Sequence, residues 1–369
     1  MSYKPDPNFL YRKAEQLLME DELMGAYANY TKAANIYMVN GSYFRMYECY
    51  ESIIHILKMQ GRIGEAINIL LENAKKLEDF NIYEVAAKFY EKSGILSYTM
   101  EDYESASMWY KDSARLYLEV FKQDDSDEMR ELSGILLMKS AESLYQLKKK
   151  KESAENLMLE GVFRYFGLAS KIPEMEDKLK THLNNNEFIE ARRISENLAD
   201  IMKDMIEKMD ITSDFQVELL SSNVESRLIH YKSEYLFIDY LILHNMGEKE
   251  ELQKVRNRTL KKLNEGMDIL HDILIKEHDK EDIIRYCFDG MLKEIIHALD
   301  DGDDYSFSHE QFIKDLTDEV RNEIEENEYF NIIKKINKYG LELTKNDLLD
   351  ANLGKFHPIK SLIIKLIFP

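Results

Sequence analysis

The stretch that decides the fold is residues 83–117, YEVAAKFYEKSGILSYTMEDYESASMWYKDSARLY, which reads as two helices joined by a short polar break. In each helix, small residues and large aromatic residues alternate at helical spacing, so that one face of the helix is apolar. Small residues let two helices approach closely, and aromatic rings fill the next layer. Neither helix can bury its apolar face alone, so we expect this hairpin to pack against similar hairpins on both sides.

The same pattern recurs along the chain every 40 residues. The small residue early in each second helix is Ala26, Ala66 and Ala106. Four residues after these positions stand the large residues Tyr30, Leu70 and Tyr110. Twelve residues before them stand Ala14, Ile54 and Gly94. A tetratricopeptide (TPR) repeat has the same internal order of small and large residues at a period of about 34. The longer period predicts a TPR-like array built from longer helices.

The scarcity of turn-forming residues also favours helices, since the 369 residues include only 14 Gly and 5 Pro. We therefore predict an all-α fold, a right-handed α-solenoid of TPR-like helical hairpins followed by a C-terminal helical bundle. The repeats are expected over residues 9–210 and a capping bundle over residues 211–369, because a repeat array needs its exposed end covered.

Longer helices are predicted where the 40-residue pattern fades. They are expected near residues 215–246, 248–277, 281–299, 309–338 and 345–352. The acidic stretch QDDSDE at residues 123–128 interrupts the spacing of the repeats. We interpret it as an inserted linker.

Charge and cysteine content limit the classes of function. The formal net charge is −20, and an acidic surface repels phosphate backbones, so nucleic acid is not an expected partner. Cys49 and Cys287 lie far apart in helical apolar patterns, which is typical of buried thiols in a reducing compartment. No secretory leader is visible at the start of the sequence, and no stretch approaches the roughly 18 apolar residues of a membrane span. We expect a cytoplasmic protein without an integral membrane segment.

Three phrases of the first part of the chain resemble the soluble NSF attachment proteins (the SNAP family), a branch of the TPR superfamily. They are AYANYTKAANIY (Ala26–Tyr37), AAKFYEKSGILSY (Ala86–Tyr98) and YESASMWYKDSARLY (Tyr103–Tyr117). The resemblance implies a curved sheet of antiparallel helix pairs that ends in a helical bundle. It also implies an adaptor that lays one face on a coiled-coil bundle of membrane-fusion proteins and recruits a hexameric AAA-type ATPase.

Motifs of catalysis and metal binding do not emerge from the sequence, and no cofactor is predicted. There is no glycine-rich phosphate loop, no Gly-x-Ser-x-Gly elbow and no His-Glu-x-x-His pair. His271 and His278 share a helical face but lack further ligands at metal spacing. The acidic run Asp300–Asp304 lacks the spacing of an EF-hand and reads as a solvated turn. The basic run Lys148–Lys151 reads as a charged hairpin tip, with contact to an acidic partner or a lipid head group as the alternative.

The predicted function is a non-enzymatic adaptor that binds another protein along the concave face, which the first helix of each hairpin lines in TPR arrays. The bound element is expected to be a helix or an extended segment of mixed charge. The predicted partner-binding residues are Glu48, Glu51, His55, Lys58, Lys88, Glu91, Tyr98, Lys139, Ser143 and Gln146, with Ile95 on the same strip.

Two other functions stay open at the level of sequence. One is a regulator in which a peptide or small ligand enters the groove and the C-terminal bundle moves. The other is a helical enzyme with its site within residues 215–350. A deep pocket with converging carboxylates and histidines would favour the enzyme.

Overall fold

The computed structural model describes residues 6–147, 150–208, 218–300, 307–351 and 360–368, with the side chains of 218–221, 360–362 and 365 excepted. Those ranges contain helices and turns but no β-strand, which confirms the all-α prediction. Consecutive helices pack in adjacent pairs, as in an α-solenoid of helical hairpins. The chain divides into two compact units, Met1–Gly167 and Leu168–Pro369.

The first unit is a series of helical hairpins. Its helices are α1 (Pro7–Met19), α2 (Leu23–Val39), α3 (Tyr43–Met59), α4 (Ile63–Asp79), α5 (Tyr83–Thr99), α6 (Tyr103–Asp124), α7 (Asp127–Tyr145) and α8 (Lys151–Tyr165). From α2 to α6 each helix begins 20 residues after the one before it, so the 40-residue repeat of the sequence is two helices and two turns. Ala26, Ala66 and Ala106 are fully buried, which confirms the predicted register.

The turns of this series share one backbone geometry. Each of the first five has a residue with positive φ directly after the helix cap, and these residues are Asp21, Gly41, Gly61, Asn81 and Glu101. The next N–H then bonds to a carbonyl five residues earlier, as Ser42 does to Tyr37 at 2.8 Å and Asp102 does to Ser97 at 3.0 Å. This is the Schellman ending of a helix, and its repetition keeps every turn at three residues.

Close contacts join the helices α5 to α8. The hydroxyl of Ser113 in α6 donates to the carbonyl of Ala87 in α5 at 2.8 Å, and Ser133 in α7 donates to Ala114 in α6 at 2.6 Å. Gly134 of α7 and Gly161 of α8 approach at backbone distance. The small residues of the sequence pattern therefore do let neighbouring helices approach closely.

The predicted linker at 123–128 is wrong in its extent. Helix α6 continues to Asp124 and α7 begins at Asp127, so only two residues separate them. The inserted residues lengthen α6 to 22 residues, against 17 for α5. Asp125, with a left-handed φ of 49°, ends the helix.

The second unit combines long helices, of up to 29 residues in α11, with several short ones. They are α9 (Lys171–Asn184), α10 (Phe188–Glu207), α11 (Glu218–Met246), α12 (Lys249–Lys276), α13 (Lys280–Leu299), α14 (His309–Phe312), α15 (Asp318–Glu326), α16 (Glu328–Tyr339), α17 (Lys345–Asp350) and α18 (Lys360–Ile367). Helix α11 packs against α10, α12, α13 and α18. From Leu228 to Leu243 every residue except Tyr231 is buried, so α11 forms the core of this unit.

The single helix predicted at 309–338 is wrong, because the structure has α14, α15 and α16 there. Asp315 adopts a left-handed φ of 60°. Thr317 then caps α15, since its hydroxyl accepts from Val320 N at 3.4 Å. Asn327 ends α15 and begins α16, and its side chain accepts from Tyr329 N at 2.9 Å. Polar residues that are tolerated inside helices act here as caps.

The predicted change from repeats to a capping bundle near residue 210 stays a prediction, because residues 209–217 lie outside those described. Among the described helices, none combines the length and apolarity needed to cross a membrane.

Candidate partner-binding face and polar sites

The first helices of neighbouring hairpins lie side by side in the first unit. Helix α5 packs against α3, and the ring of Phe89 in α5 makes edge contacts with Tyr47 and Tyr50 of α3, at centroid distances of 5.1 and 5.6 Å. Lys139 of α7 reaches Glu91 of α5. We call the outward side chains of these three helices the α3–α5–α7 face.

All ten residues predicted to bind a partner fall on or beside these helices. Glu51, His55, Lys58 and Gln146 are exposed, and Glu48, Lys88, Glu91, Tyr98 and Lys139 are partly exposed. Ser143 is the exception, because it is buried and its hydroxyl donates to the carbonyl of Lys139 at 2.9 Å. Nine of the ten residues are therefore accessible to a partner, and whether they bind one stays a prediction.

Polar contacts connect this face from one helix to the next. Lys92 Nζ of α5 lies 3.1 Å from Glu51 of α3, and Lys139 Nζ of α7 lies 3.4 Å from Glu91 of α5. The hydroxyl of Tyr98 in α5 donates to Glu142 of α7 at 3.5 Å. The side chains of α3, α5 and α7 thus form a row of cross-helix pairs, one from α3 to α5 and two from α5 to α7.

Three residues of this row were missed at the level of sequence. Lys92 pairs with Glu51, and Glu142 accepts a hydrogen bond from Tyr98. Phe44 is 50% exposed, and Lys88 Nζ lies 5.3 Å from its ring centroid. A motif register selects fixed positions on each helix, and it does not reveal which side chains meet across helices. The one available signal was helical spacing, since Lys92 follows Lys88 by four residues.

The ion pairs of the row are weak enough to be replaced by contacts with a bound protein segment. Ion pairs this exposed each contribute about 0–1 kcal/mol to stability, so breaking one on binding costs little. Their charges still orient an incoming segment and disfavour one with the wrong pattern. The row offers carboxylates, ammonium groups and an exposed aromatic ring on one surface.

The basic run Lys148–Lys151 lies partly outside the described residues, at 148 and 149. Lys150 precedes α8 and its Nζ lies 2.6 Å from Glu104 of α6. The described part of the run therefore belongs to the tip of a hairpin, where one lysine pairs within the chain. The acidic run falls on residues 301–304 outside the described ranges, apart from Asp300, which accepts from Arg256.

A pocket of about 610 Å³ opens in the second unit between α12, α13 and α14. Tyr286 and Phe312 form an aromatic wall, and the charged or titratable side chains of the lining include Asp268, His271, Lys293, Lys314 and Asp315. His271 Nε2 donates to the carbonyl of Lys314 at 2.7 Å. Burial lowers the pKa of Lys293, with Glu294 and Asp268 acting in the opposite direction. The pocket can accept a small polar molecule that carries a flat ring. Its one histidine does not meet His278, which instead lies near Glu319 and Glu323.

A second cluster of titratable groups lies inside the same unit. His230 Nδ1 lies 2.7 Å from Asp289, and its Nε2 lies 3.3 Å from Glu234. Burial alone would lower the pKa of His230, but the two carboxylates outweigh it and raise the pKa to about 9. At neutral pH both ring nitrogens therefore donate. Because all three side chains are buried, the cluster holds helices together and has no access for a substrate.

Within the described residues, no group of three or more His, Cys, Asp or Glu is arranged to hold a metal ion.

Comparisons with known proteins give no family for this chain. No protein-family model matches it, and no curated protein matches it. One solved structure that matches is a circular tandem repeat protein with novel repeat topology and enhanced subunit contact surfaces. The two sequences are 13% identical, the match covers 98% of this chain and 86% of that chain, and the TM-score is 0.22. A TM-score below 0.5 defines neither the fold nor the function of this chain.

Proposed function

We propose that the chain is a non-enzymatic scaffold that binds a helical or extended segment of another protein along the α3–α5–α7 face. The observation that supports this most is the pair of cross-helix contacts on this face, Glu51 with Lys92 and Glu91 with Lys139. A segment of mixed charge laid across the three helices would meet alternating charges and the exposed ring of Phe44. The mechanism is surface complementarity without covalent chemistry.

The more specific form of the proposal is an adaptor similar to the soluble NSF attachment proteins. In that form the bound segment belongs to a coiled-coil protein, and a AAA-type ATPase is recruited. The support is the sequence resemblance of Ala26–Tyr37, Ala86–Tyr98 and Tyr103–Tyr117, which lie in the helices α2, α5 and α6, and α5 is part of the face.

Affinity capture with matched charge variants tests the proposal. The face variant is K88E/K92E/K139E, and the control is K32E/K75E/K111E, which changes three exposed lysines on the second helices α2, α4 and α6. Both variants make the net charge of −20 more negative by the same amount. We expect partners captured from the native cell by the wild type to be lost with the face variant and kept with the control. Equal recovery with all three proteins would contradict the proposal.

The identity of the captured proteins then tests the more specific form. Recovery of a AAA-type ATPase together with a coiled-coil protein would support an attachment-protein role. Face-dependent capture of other proteins at physiological salt would reject that role and leave the scaffold in place.

A second candidate function is a ligand-gated regulator, which the pocket between α12, α13 and α14 favours. The substitution Met267→Trp would fill the pocket from α12. If the pocket regulates binding, a small molecule that shifts the wild-type affinity for the captured partner will have no effect on this variant. Partner affinity that no small molecule changes would count against this function.

A further inference from the structure

The pocket between α12, α13 and α14 has a polar wall that belongs to α12. Asn264, Met267, Asp268 and His271 all line the pocket. Their spacing along the chain places them on one face of the helix, over two turns. The ring centroid of His271 lies 6.1 Å from that of Tyr286 in α13. The polar wall and the aromatic wall of the pocket therefore meet at these two residues.

The aromatic wall is held in place by contacts within the chain. The ring centroid of Phe312 lies 4.6 Å from that of Tyr286 and 5.6 Å from that of Phe307, and Phe307 is partly exposed. The hydroxyl of Tyr286 donates to the carbonyl of Phe312 at 2.8 Å, so its polar atom is satisfied by the backbone. Adjacent rings that line a pocket favour a planar ligand, because aromatic rings pack well against one another.

The polar wall offers hydrogen-bond acceptors. The carboxylate of Asp268 is exposed, and an ionised carboxylate only accepts hydrogen bonds. His271 Nε2 lies 2.7 Å from the carbonyl of Lys314, so Nε2 carries the proton and Nδ1 of the neutral ring is a second acceptor. A carboxylate can accept two parallel N–H donors from a planar group, as it does from a guanidinium. This wall therefore suits the edge of a ring that carries adjacent N–H groups.

Lys293 of α13 adds hydrogen-bond donors to the same pocket. It follows Tyr286 by seven residues and so lies on the same face of α13. An ammonium group carries three donors, so Lys293 can serve a ligand in addition to groups of the chain. The other two charged residues of the lining, Lys314 and Asp315, are exposed and lie 4.0 Å from each other. A ligand in the pocket therefore meets both a carboxylate and an ammonium group beside the aromatic rings.

We propose that this pocket binds the base of a guanine nucleoside. Guanine is planar, its N1–H and its exocyclic amino group are adjacent donors, and its O6 and N7 are acceptors that lysine commonly contacts. The base lies against the aromatic wall, its donor edge meets Asp268, and its O6 meets Lys293. Adenine has an amino group in place of O6 and no proton on N1, so it matches neither charged group. The pocket volume of about 610 Å³ lies within the range of about 300–1,000 Å³ that is usual for small-molecule sites.

This inference rests on the second candidate function, since it names the ligand class of the ligand-gated regulator. Equilibrium dialysis of the full chain at pH 7, without a partner, measures the binding of labelled guanosine and labelled adenosine. We expect guanosine to bind at least about 10-fold more tightly, because adenosine presents an amino group where guanosine presents O6. Guanosine binding that leaves the affinity for the captured partner unchanged would reject the regulator and keep the site. A different small molecule that acts through the pocket, with no binding of guanosine, would reject the ligand class and keep the regulator.

Asp268→Asn tests the polar wall without altering the core, because Asp268 is exposed. The amide replaces one acceptor oxygen with a donor, so guanosine should bind at least about 10-fold more weakly. Adenosine, which asparagine can contact through one donor and one acceptor, should bind within about 2-fold of its wild-type affinity. Asp272→Asn changes an exposed carboxylate of α12 outside the pocket lining and should bind guanosine within about 2-fold of the wild type. A wild type that does not bind guanosine or does not prefer it to adenosine, or equal guanosine affinity in the wild type and Asp268→Asn, would overturn the proposal.

Discussion

Gly134 of α7 and Gly161 of α8 lie where two helix backbones touch. A Cβ atom at Gly134 would lie 2.7 Å from Tyr165 N and 2.8 Å from Gly161 O, and neither backbone atom can move aside. At Gly94 the nearest atoms are instead those of the Tyr110 ring, at 2.8 Å. The close approach of these helices depends on the missing side chains.

We predict that Gly134→Ala destabilises the chain by about 2–3 kcal/mol, because the added methyl group forces the two helices apart. Gly64→Ala is the control, since nothing lies within 4 Å of a Cβ there and alanine is the better helix former by about 1 kcal/mol. Urea unfolding followed by far-ultraviolet circular dichroism measures both variants. Equal stability of Gly134→Ala and the wild type would contradict the packing described for α7 and α8.

We predict that His230→Gln destabilises the chain by about 3 kcal/mol at pH 7, because it removes the positive charge that Asp289 and Glu234 share inside the protein. The pKa of His230 is raised to about 9, above its unfolded value of about 6.5. Its contribution is therefore fully present below pH of about 6.5 and is lost as the pH rises through about 9.

The free energy of unfolding, measured by urea at several pH values, checks this sign. The wild type should lose more stability between pH 7 and 10 than His230→Gln does. His55→Gln, an exposed histidine on α3, is the control and should follow the wild type. A pH dependence that is the same in all three proteins would show that His230 is not charged in the folded state.

The charged groups of α11 show what the sequence did not reveal about single residues. His230, Lys232 and Asp239 are buried, whereas a charged side chain in a sequence is ordinarily read as facing solvent. Their burial follows from the four helices that surround α11, and no local pattern encodes that number of neighbours. The Glu51–Lys92 pair was missed for the same reason, since it joins residues of different hairpins.

The positions of the helices could be predicted from the sequence better than the contacts between them. The 40-residue spacing of Ala26, Ala66 and Ala106 predicted helices in a fixed register, and α2, α4 and α6 do begin at residues 23, 63 and 103. The turns repeat because a Schellman ending needs only one residue of positive φ. The predicted helix at 309–338 failed because Thr317 and Asn327 act as caps, which a hydrophobic pattern does not detect.

Glu101 is the least suited of these turn residues to its backbone, at a φ of 61°. We predict that Glu101→Gly stabilises the chain by about 1 kcal/mol, because glycine adopts this conformation without the steric cost of a Cβ atom. Gly61→Ala, at a φ of 71° with no neighbour within 4 Å, should destabilise it by a similar amount. Thermal unfolding measures the pair, and shifts of the same sign would contradict the turn geometry.

At the scale of the whole molecule, each compact unit has its own kind of polar feature. The first unit presents charge at its surface, along the α3–α5–α7 face. The second unit encloses charge around α11, where Asp239 pairs with Arg192 and His230 lies between Asp289 and Glu234. Repetition of one hairpin suits an extended contact surface, whereas the longer helices of the second unit create the enclosed sites.

Carboxylate footprinting of the chain in complex with its captured partner tests the central claim most directly. Labelling with a water-soluble carbodiimide, read by mass spectrometry, compares the free and bound chain at each acidic residue. We predict that Glu48, Glu51 and Glu91 become protected in the complex, while Glu72, which is exposed on the second helix α4, is labelled equally in both states. Protection of Glu72 with unchanged labelling of Glu51 and Glu91 would place the partner elsewhere and contradict the account.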